Sequence, residues 1–372
     1  TKPVGLHTRG RPLSNRKESP VTDDIYEQLA EALDRLPNGF PRTPSGVEIR
    51  LLKKIFTPEE AGIAAQMSRE FEPVPAIAKR IGRARWQARR KLIAMARRGL
   101  VRAKRRDRKL LFRLNPFVFG IYEFQLERMD LEMARLFEEY FMAGGVIELM
   151  GTQPPIHRVV PAQGAVEAEW VLPYDDVRAL LMEAKTFNVR DCICRHQQDL
   201  LGSRQCDYPL DVCLSFFRKE RPPMPGDISK EEALAILDRT EEVGLVHTVH
   251  NQKEGLFYVC NCCSCCCGFL RGIVERGVTD VIAYANYYAS IDPEECLGCL
   301  TCMDRCHVGA ISLKDEYAVV DREKCIGCGL CVTGCPNEVA RLIRKPEAEI
   351  IHPPANFVEW EEARLRNRGM SA

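Results

Sequence analysis

Apolar residues first take on a helical period after residue 21. Ile25, Leu29, Leu33 and Leu36 share one face, Thr22 stands at the cap position, and Pro37, Asn38 and Gly39 close the run. Residues 1–21 before it, rich in Arg, Lys, Pro and Ser without a period, read as an extended arm, and 40–46 as turns. Thr57 followed by Pro58, Glu59 and Glu60 predicts a capped helix running through Met67. A short helix is expected from Val74 to Ile81, ended by Gly82, and another from Arg85 to Arg98 with Trp86, Leu92, Ile93 and Met95 on its apolar face. Leu100–Lys104 and Leu110–Leu114 read as strands around a charged tip. Residues 117–143 read as one long amphipathic helix carrying Phe117, Ile121, Phe124, Met129, Leu136 and Phe137, ended by Gly144 and Gly145. Further on, Ser229 with Glu232 forms a capping box for a helix to about Val243, Leu256–Val259 reads as a strand, and Gly268–Arg276 as a helix.

The order of helices and hairpin between Val47 and Pro116 resembles a winged helix, a fold that serves both DNA binding and protein docking. Charge sharpens the picture. Sixteen Lys or Arg residues and one acid, Asp107, lie between Lys79 and Arg113, although the whole chain carries only +1. Arg83, Arg85, Arg89, Arg90 and Lys91 on the third helix, with Arg105, Arg106 and Arg108 at the tip, suit phosphate contacts or an acidic protein surface. A merely solvated face would mix the signs of charge.

At 372 residues the chain is long enough for two or three domains, and its eighteen cysteines point to metal ligation in a reducing compartment. A disulfide framework belongs to short secreted chains. No apolar run approaches the roughly 18 residues of a membrane span, so a cytoplasmic protein is expected. No glycine-rich phosphate loop lies in strand-turn-helix context, so hydride chemistry would belong to another protein.

Cys296, Cys299, Cys302 and Cys306 recur 29 positions later as Cys325, Cys328, Cys331 and Cys335, followed by Pro336. Two residues between ligands let three thiolates converge on one face of a cube, and the fourth must come from elsewhere. Gly298, Gly327, Gly329 and Gly334 permit close backbone approach. Zinc ribbons use isolated cysteine pairs instead. Residues 288–343 resemble the bacterial two-cluster ferredoxin, with His307 where proline often stands. The resemblance implies that Cys296, Cys299, Cys302 and Cys335 hold one [4Fe-4S] cluster, and Cys325, Cys328, Cys331 and Cys306 the other. His307 reads as a solvated side chain, or else as a group that tunes the cluster beside it.

Ten more cysteines lie between Leu172 and Gly268: Cys192 and Cys194 in DCICRH, Cys206, Cys213, and the run Cys260, Cys262, Cys263, Cys265, Cys266 and Cys267. Ten thiols exceed what one cubane needs, and neighbours such as Cys262 and Cys263 project in different directions. One or two further iron-sulfur clusters are therefore expected, since buried structural thiols at this density would oxidise or scavenge metal. His196 reads as a ligand, a hydrogen-bond donor or a partner in a surface salt bridge. The doublet before glycine is similar to the cysteine-rich CCG domains of heterodisulfide reductases. Over residues 37–343 the chain resembles iron-sulfur proteins of anaerobes that join a winged-helix-like region, DCICR, CNCCxCCCG and a two-cluster ferredoxin.

The expected architecture is α+β and multidomain. It comprises an arm and helix (1–46), a winged-helix-like basic domain (47–116), a connecting helix (117–145), a central cysteine-rich α/β domain (146–287), a two-cluster ferredoxin domain (288–343) and a tail with a short helix (344–372). The expected function is electron transfer as a subunit or partner of an anaerobic oxidoreductase. A redox-responsive DNA-binding regulator and a reductase acting at the central cluster are the alternatives.

Overall fold

The computed structural model describes residues 20–167 and 170–370, so the arm expected before residue 20 lies outside the described residues. α1 (Pro20–Asp34) buries Leu29 and Leu33 against α2 (Val47–Ile55) and α3 (Pro58–Ala64). α3 has the predicted cap at Thr57, completed as a capping box in which Thr57 and Glu60 each accept the other's backbone N-H. It stops at Ala64, one turn earlier than expected. α4 (Val74–Arg80) and α5 (Arg85–Arg97) follow, and β2 (Val101–Arg106) and β3 (Lys109–Leu114) form the hairpin. β3 also pairs with β1 (Glu72–Pro73), giving a three-stranded antiparallel sheet in the order β1-β3-β2.

Residues 117–143 are not one helix. Pro116 precedes a single wide turn over Phe117–Ile121 in which Phe119 has a positive φ of 58°, a 3-10 turn spans Glu123–Arg128, and only α6 (Leu131–Met142) is regular. Asp130 restarts the helix by accepting the N-H of Met133 at 2.8 Å. The period survives the break because Phe117, Ile121, Met129 and Phe137 are all buried, whereas Phe124 is left exposed. A hydrophobic period reports which residues face the core and does not report that the backbone between them is continuous.

After α7 (Gly145–Gly151) comes a seven-stranded sheet in the order β10-β4-β8-β9-β6-β5-β7. Its strands are β4 (His157–Val160), β5 (Thr186–Arg190), β6 (Cys213–Phe217), β7 (Asp227–Ile228), β8 (Val246–His250), β9 (Tyr258–Cys262) and β10 (Ile282–Ala283). All pairings are antiparallel except β10 with β4. α8 (Val177–Glu183) and α10 (Lys230–Glu242) pack over one part of it, while α9 (Ile193–Leu201) and α11 (Gly268–Arg276) leave from its cysteine-bearing ends. α10 opens with the predicted Ser229/Glu232 box.

The last unit is visibly duplicated. β11 (Tyr287–Ile291) pairs with β14 (Ala340–Arg344), and β12 (Ile311–Lys314) with β13 (Tyr317–Val320). The short helices α12 (Thr301–Asp304) and α13 (Leu330–Thr333) stand in equivalent places. The left-handed positions repeat too: Gly298 with Gly327, Leu300 with Gly329, and Gly309 with Glu338. A Cβ on Gly298 would stand 2.3 Å from the Glu316 carbonyl oxygen, and one on Gly327 would stand 2.4 Å from that of Tyr287, so both turns require glycine. The tail is not loose. α14 (Phe357–Asn367) buries Trp360 and the whole of Arg364, whose guanidinium donates to the carbonyls of Leu149, Pro154 and Pro37 and so joins the C-terminal helix to the first segment and to α7.

Candidate metal centre

The ferredoxin-like unit gathers its eight cysteines into two small cavities. One is lined by Cys296, Cys299, Cys302 and Cys335, and the other by Cys306, Cys325, Cys328 and Cys331. Each therefore takes three thiols from one half of the duplication and one from the other. Backbone N-H groups point at sulfur: Ala318 donates to Cys296 Sγ at 3.4 Å, Ala310 to Cys306 Sγ at 3.2 Å and Ala289 to Cys325 Sγ at 3.4 Å. Such donors favour thiolate over thiol, which is what metal ligation needs. The cavities differ in exposure. Cys299 is exposed, next to Leu297 with three quarters of its surface open, and its thiol is held low by N-H and hydroxyl contacts from Thr301. Burial pushes the Cys328 thiol up to about 12 and the Cys331 thiol higher still.

His307 is half-buried and fully engaged, so the solvated reading of it is wrong. Its Nε2 donates to the Gly244 carbonyl at 2.7 Å, and its Nδ1 accepts the Ser264 N-H at 3.3 Å. Burial lowers its pKa below the ordinary value. Beside it Arg305 donates to the carbonyls of Glu241 and Glu242 at the end of α10 and to Leu330 across the duplication. Cationic donors suit the open carbonyls of a helix C-terminus. These two side chains fasten the second cavity to the central cysteine loop.

Around the seven-stranded sheet strand geometry sorts the sulfurs. Alternation along β9 sends Cys260 and Cys262 to one face and Asn261 to the other, where Asn261 meets His247 at 2.6 Å and the Val212 carbonyl at 2.7 Å. Cys213 reaches Cys260 from the neighbouring β6, and Cys192 and Cys194 arrive at the start of α9. Thiol contacts run Cys192, Cys194, Cys267, Cys262, Cys260, Cys213 and back to Cys192, a closed ring of six. All six line a cavity of about 110 Å³. Cys192 and Cys267 are the N-cap residues of α9 and α11, so two helix N-termini face this sulfur.

The remaining four, Cys206, Cys263, Cys265 and Cys266, lie with every sulfur within 4.8 Å of the others. Hydrogen bonds from neighbouring thiols hold selected sulfurs as thiolates: Cys194 and Cys213 on Cys192, Cys260 and Cys267 on Cys262 (about 5), and Cys263 and Cys266 on Cys265 (about 4). The counter-charge is Arg195, fully buried, donating to the carbonyls of Asn261 at 2.7 Å and Pro209 at 3.0 Å. Burial opposes its charge, but Cys192, Cys263 and Cys262 outweigh that and keep its pKa above the ordinary value. Sequence reading passed over Arg195, although a cation inside DCICR on a helix with a buried face was a usable signal.

Residues 289–342 match the family model of the 4Fe-4S dicluster domain. No curated protein and no solved structure matches the chain. The match and the converging thiols support at least one iron-sulfur cluster. All eighteen cysteines are free thiols, and among the described residues no helix is long and apolar enough to cross a membrane.

The other anticipated residues fall elsewhere. Arg85, Arg89 and Arg90 on α5 and Arg105, Arg106 and Arg108 at the hairpin tip are exposed. Arg83, also exposed, and Lys91 pair with Glu59 at 3.0 and 2.9 Å, an acid that the charge count had placed outside the patch. Trp86, expected on the apolar face, is 64% exposed with Arg90 over its ring. His196 makes no ion pair among the described residues.

A cavity of about 320 Å³ was not foreseen. It lies between the basic unit and the sheet, and Cys213 and Cys260 of the ring, Arg102, Glu123, Tyr258 and His250 reach its wall. They come from segments as far apart as Arg102 and Cys260, so no local motif marks them.

Proposed function

We propose that this chain is an iron-sulfur electron-transfer protein, a subunit or partner of an oxidoreductase, with two ferredoxin-type [4Fe-4S] clusters and at least one further cluster on the central cysteines. Cys296, Cys299, Cys302 and Cys335 hold the first cluster, Cys325, Cys328, Cys331 and Cys306 the second, and the ring of six the third. The observation that carries this reading is the pair of cavities, each lined by three thiols of one half and the fourth of the other. Bound clusters of this kind accept and release single electrons. The chain's own part is to present Cys299 and Leu297 to a partner at the surface, to shield Cys328 and Cys331, and to clamp that shielded set onto the central thiols through Arg305 and His307. A cytoplasmic setting suits eighteen reduced thiols. Iron and sulfide analysis with Mössbauer spectroscopy on anaerobically prepared protein tests the reading. At least twelve irons are expected; eight would remove the central cluster, and a colourless zinc protein would overturn the whole.

Reduction of a substrate at the central thiols is favoured by one observation, the cavity that reaches Cys213 and Cys260. Its volume falls within the range of small-molecule sites. Arg102 offers a cation there, its charge disfavoured by burial. Visible and EPR spectra that shift when small anionic disulfides or halogenated acids are added would support this activity, and spectra indifferent to the whole set would exclude it.

The basic unit is read as winged-helix-like, with α5 and the hairpin tip as the contact surface for DNA or an acidic protein. An exposed tryptophan among exposed arginines favours nucleic acid, where stacking adds to phosphate attraction. DNA affinity of cluster-replete protein no greater than that of a charge-matched basic protein would remove the regulator reading.

A further inference from the structure

The ten central thiols form two groups of different scale. In the group of four, Cys206 Sγ lies 3.9 Å from Cys263 Sγ and 4.0 Å from Cys266 Sγ, and Cys265 Sγ lies 3.6 Å from each of those two. The remaining two edges are within 4.8 Å. Four thiolates around one ion at about 2.3 Å stand at the corners of a tetrahedron whose edge is about 3.8 Å. The ferredoxin-like unit supplies an internal comparison. Among the described residues, no three of its eight thiols, and no three of the ring of six, lie within 4.8 Å of one another. Wider spacing is what a cubane demands, because its thiolates sit on separate iron corners.

We propose that Cys206, Cys263, Cys265 and Cys266 form a closed tetrahedral four-thiolate site for a single divalent transition ion, zinc or iron, distinct from the cluster-bearing ring beside it. Chain geometry favours this. Cys263, Cys265 and Cys266 come from one tight turn after β9, and Cys206 closes the fourth corner from the extended segment after α9. That segment is held in place by Arg204, whose Nε donates to the Cys206 carbonyl at 2.7 Å. Cys263 and Cys266 are almost fully buried, and Arg195 supplies positive charge beside the excess negative charge that four thiolates leave on a divalent ion. A closed site leaves no open position for substrate. Its work is to fix the turn that carries Cys262 on one side and Cys267 on the other, and so to set the shape of the ring. Ser264, inside the same turn, donates its backbone N-H to His307, so the ion also steadies the contact with the second ferredoxin-type cavity.

The inference uses the cluster reading only for the total count, and the test separates the two. Full-length protein, prepared without oxygen, is compared with Cys206→Ser and Cys265→Ser by metal and acid-labile sulfide analysis. Each variant should lose one metal ion per chain while sulfide stays at the wild-type level. X-ray absorption at the zinc edge, or a one-iron high-spin ferrous component in the Mössbauer spectrum, tells which ion it is. Loss of several irons together with sulfide would overturn the proposal, as would unchanged metal content. Should the variants fail to fold, wild-type protein grown with cobalt keeps the question answerable. Intense thiolate-to-cobalt bands with tetrahedral d-d absorption are expected, and their absence would refute the site. If instead total sulfide is missing from the wild type, the cluster reading fails while the single-ion result stands by itself.

Discussion

His307 accepts the backbone N-H of Ser264 at 3.3 Å, and this contact joins a residue next to Cys306 with a residue between Cys263 and Cys265. Two cysteine regions more than 40 positions apart thus share one imidazole, anchored on its other side by Gly244. His307→Ala should admit water to the cavity of Cys306, Cys325, Cys328 and Cys331. Reduction adds negative charge, which water stabilises, so the potential of the cluster proposed there should rise while that of the other proposed cluster keeps its value. Redox-poised EPR measures both, and equal shifts in the two signals would deny His307 its local role.

The crossed sets of thiols make a pairing prediction. Cys335→Ser should disturb the same EPR signal as Cys299→Ser, although the two residues lie in different halves, and Cys306→Ser should disturb the other. A Cys335 variant that altered the signal belonging to Cys328 would reverse the assignment.

Leu300 occupies the left-handed conformation (φ 67°) that its counterpart Gly329 occupies at 76°. A side chain there costs on the order of 1 kcal/mol, so Leu300→Gly should leave stability unchanged or raise it by up to about that amount. Leu297 and Leu300 flank the exposed Cys299, and the double variant Leu297→Ser, Leu300→Gly should be reduced more slowly by a protein donor. Stopped-flow with a protein donor and with dithionite separates docking from a changed potential, because only the protein-driven rate should fall.

Burial, with Arg102, Arg364 and Arg158 nearby, lowers the His250 pKa to about 3, and its Nδ1 has no hydrogen-bond partner among the described residues. The unfolded chain takes up this proton near pH 6.5, while the folded protein refuses it until about pH 3. Stability is therefore complete above the unfolded value and declines as pH falls through that window, by about 1.4 kcal/mol per unit for this group. His250→Gln should flatten the fall of melting temperature between pH 7 and 5. An unchanged slope would mean the histidine is protonated in the fold.

On the basic surface, Arg89→Glu with Arg90→Glu should weaken DNA binding and make the salt dependence shallower by about 0.9 per lost phosphate contact. Arg83→Gln should do less, because Glu59 already neutralises it. Trp86→Ala should weaken single-stranded DNA by about 1–3 kcal/mol if bases stack there. Fluorescence anisotropy at several salt concentrations reads all three variants.

Much of the site was legible along the chain, for reasons of locality. A cysteine every third residue, repeated after 29, sets ligand convergence through a few consecutive dihedrals, and the capping boxes at Thr57 and Ser229 are complete within four residues. Helices that close on themselves, such as Gly268–Arg276, fell where their period and caps put them. The sequence could not say which of ten central sulfurs would meet. Cys262 joins the ring and Cys263 the group of four because β9 ends between them, and Cys213 reaches Cys260 only through the register of β6 on β9. The break at Phe117–Arg128, the outward Trp86 and the cavity at Cys213 likewise depend on what packs alongside. Spacing and period are properties of neighbours in the chain, whereas the meeting of distant surfaces is set by strand register and burial, which exist only once the whole is folded.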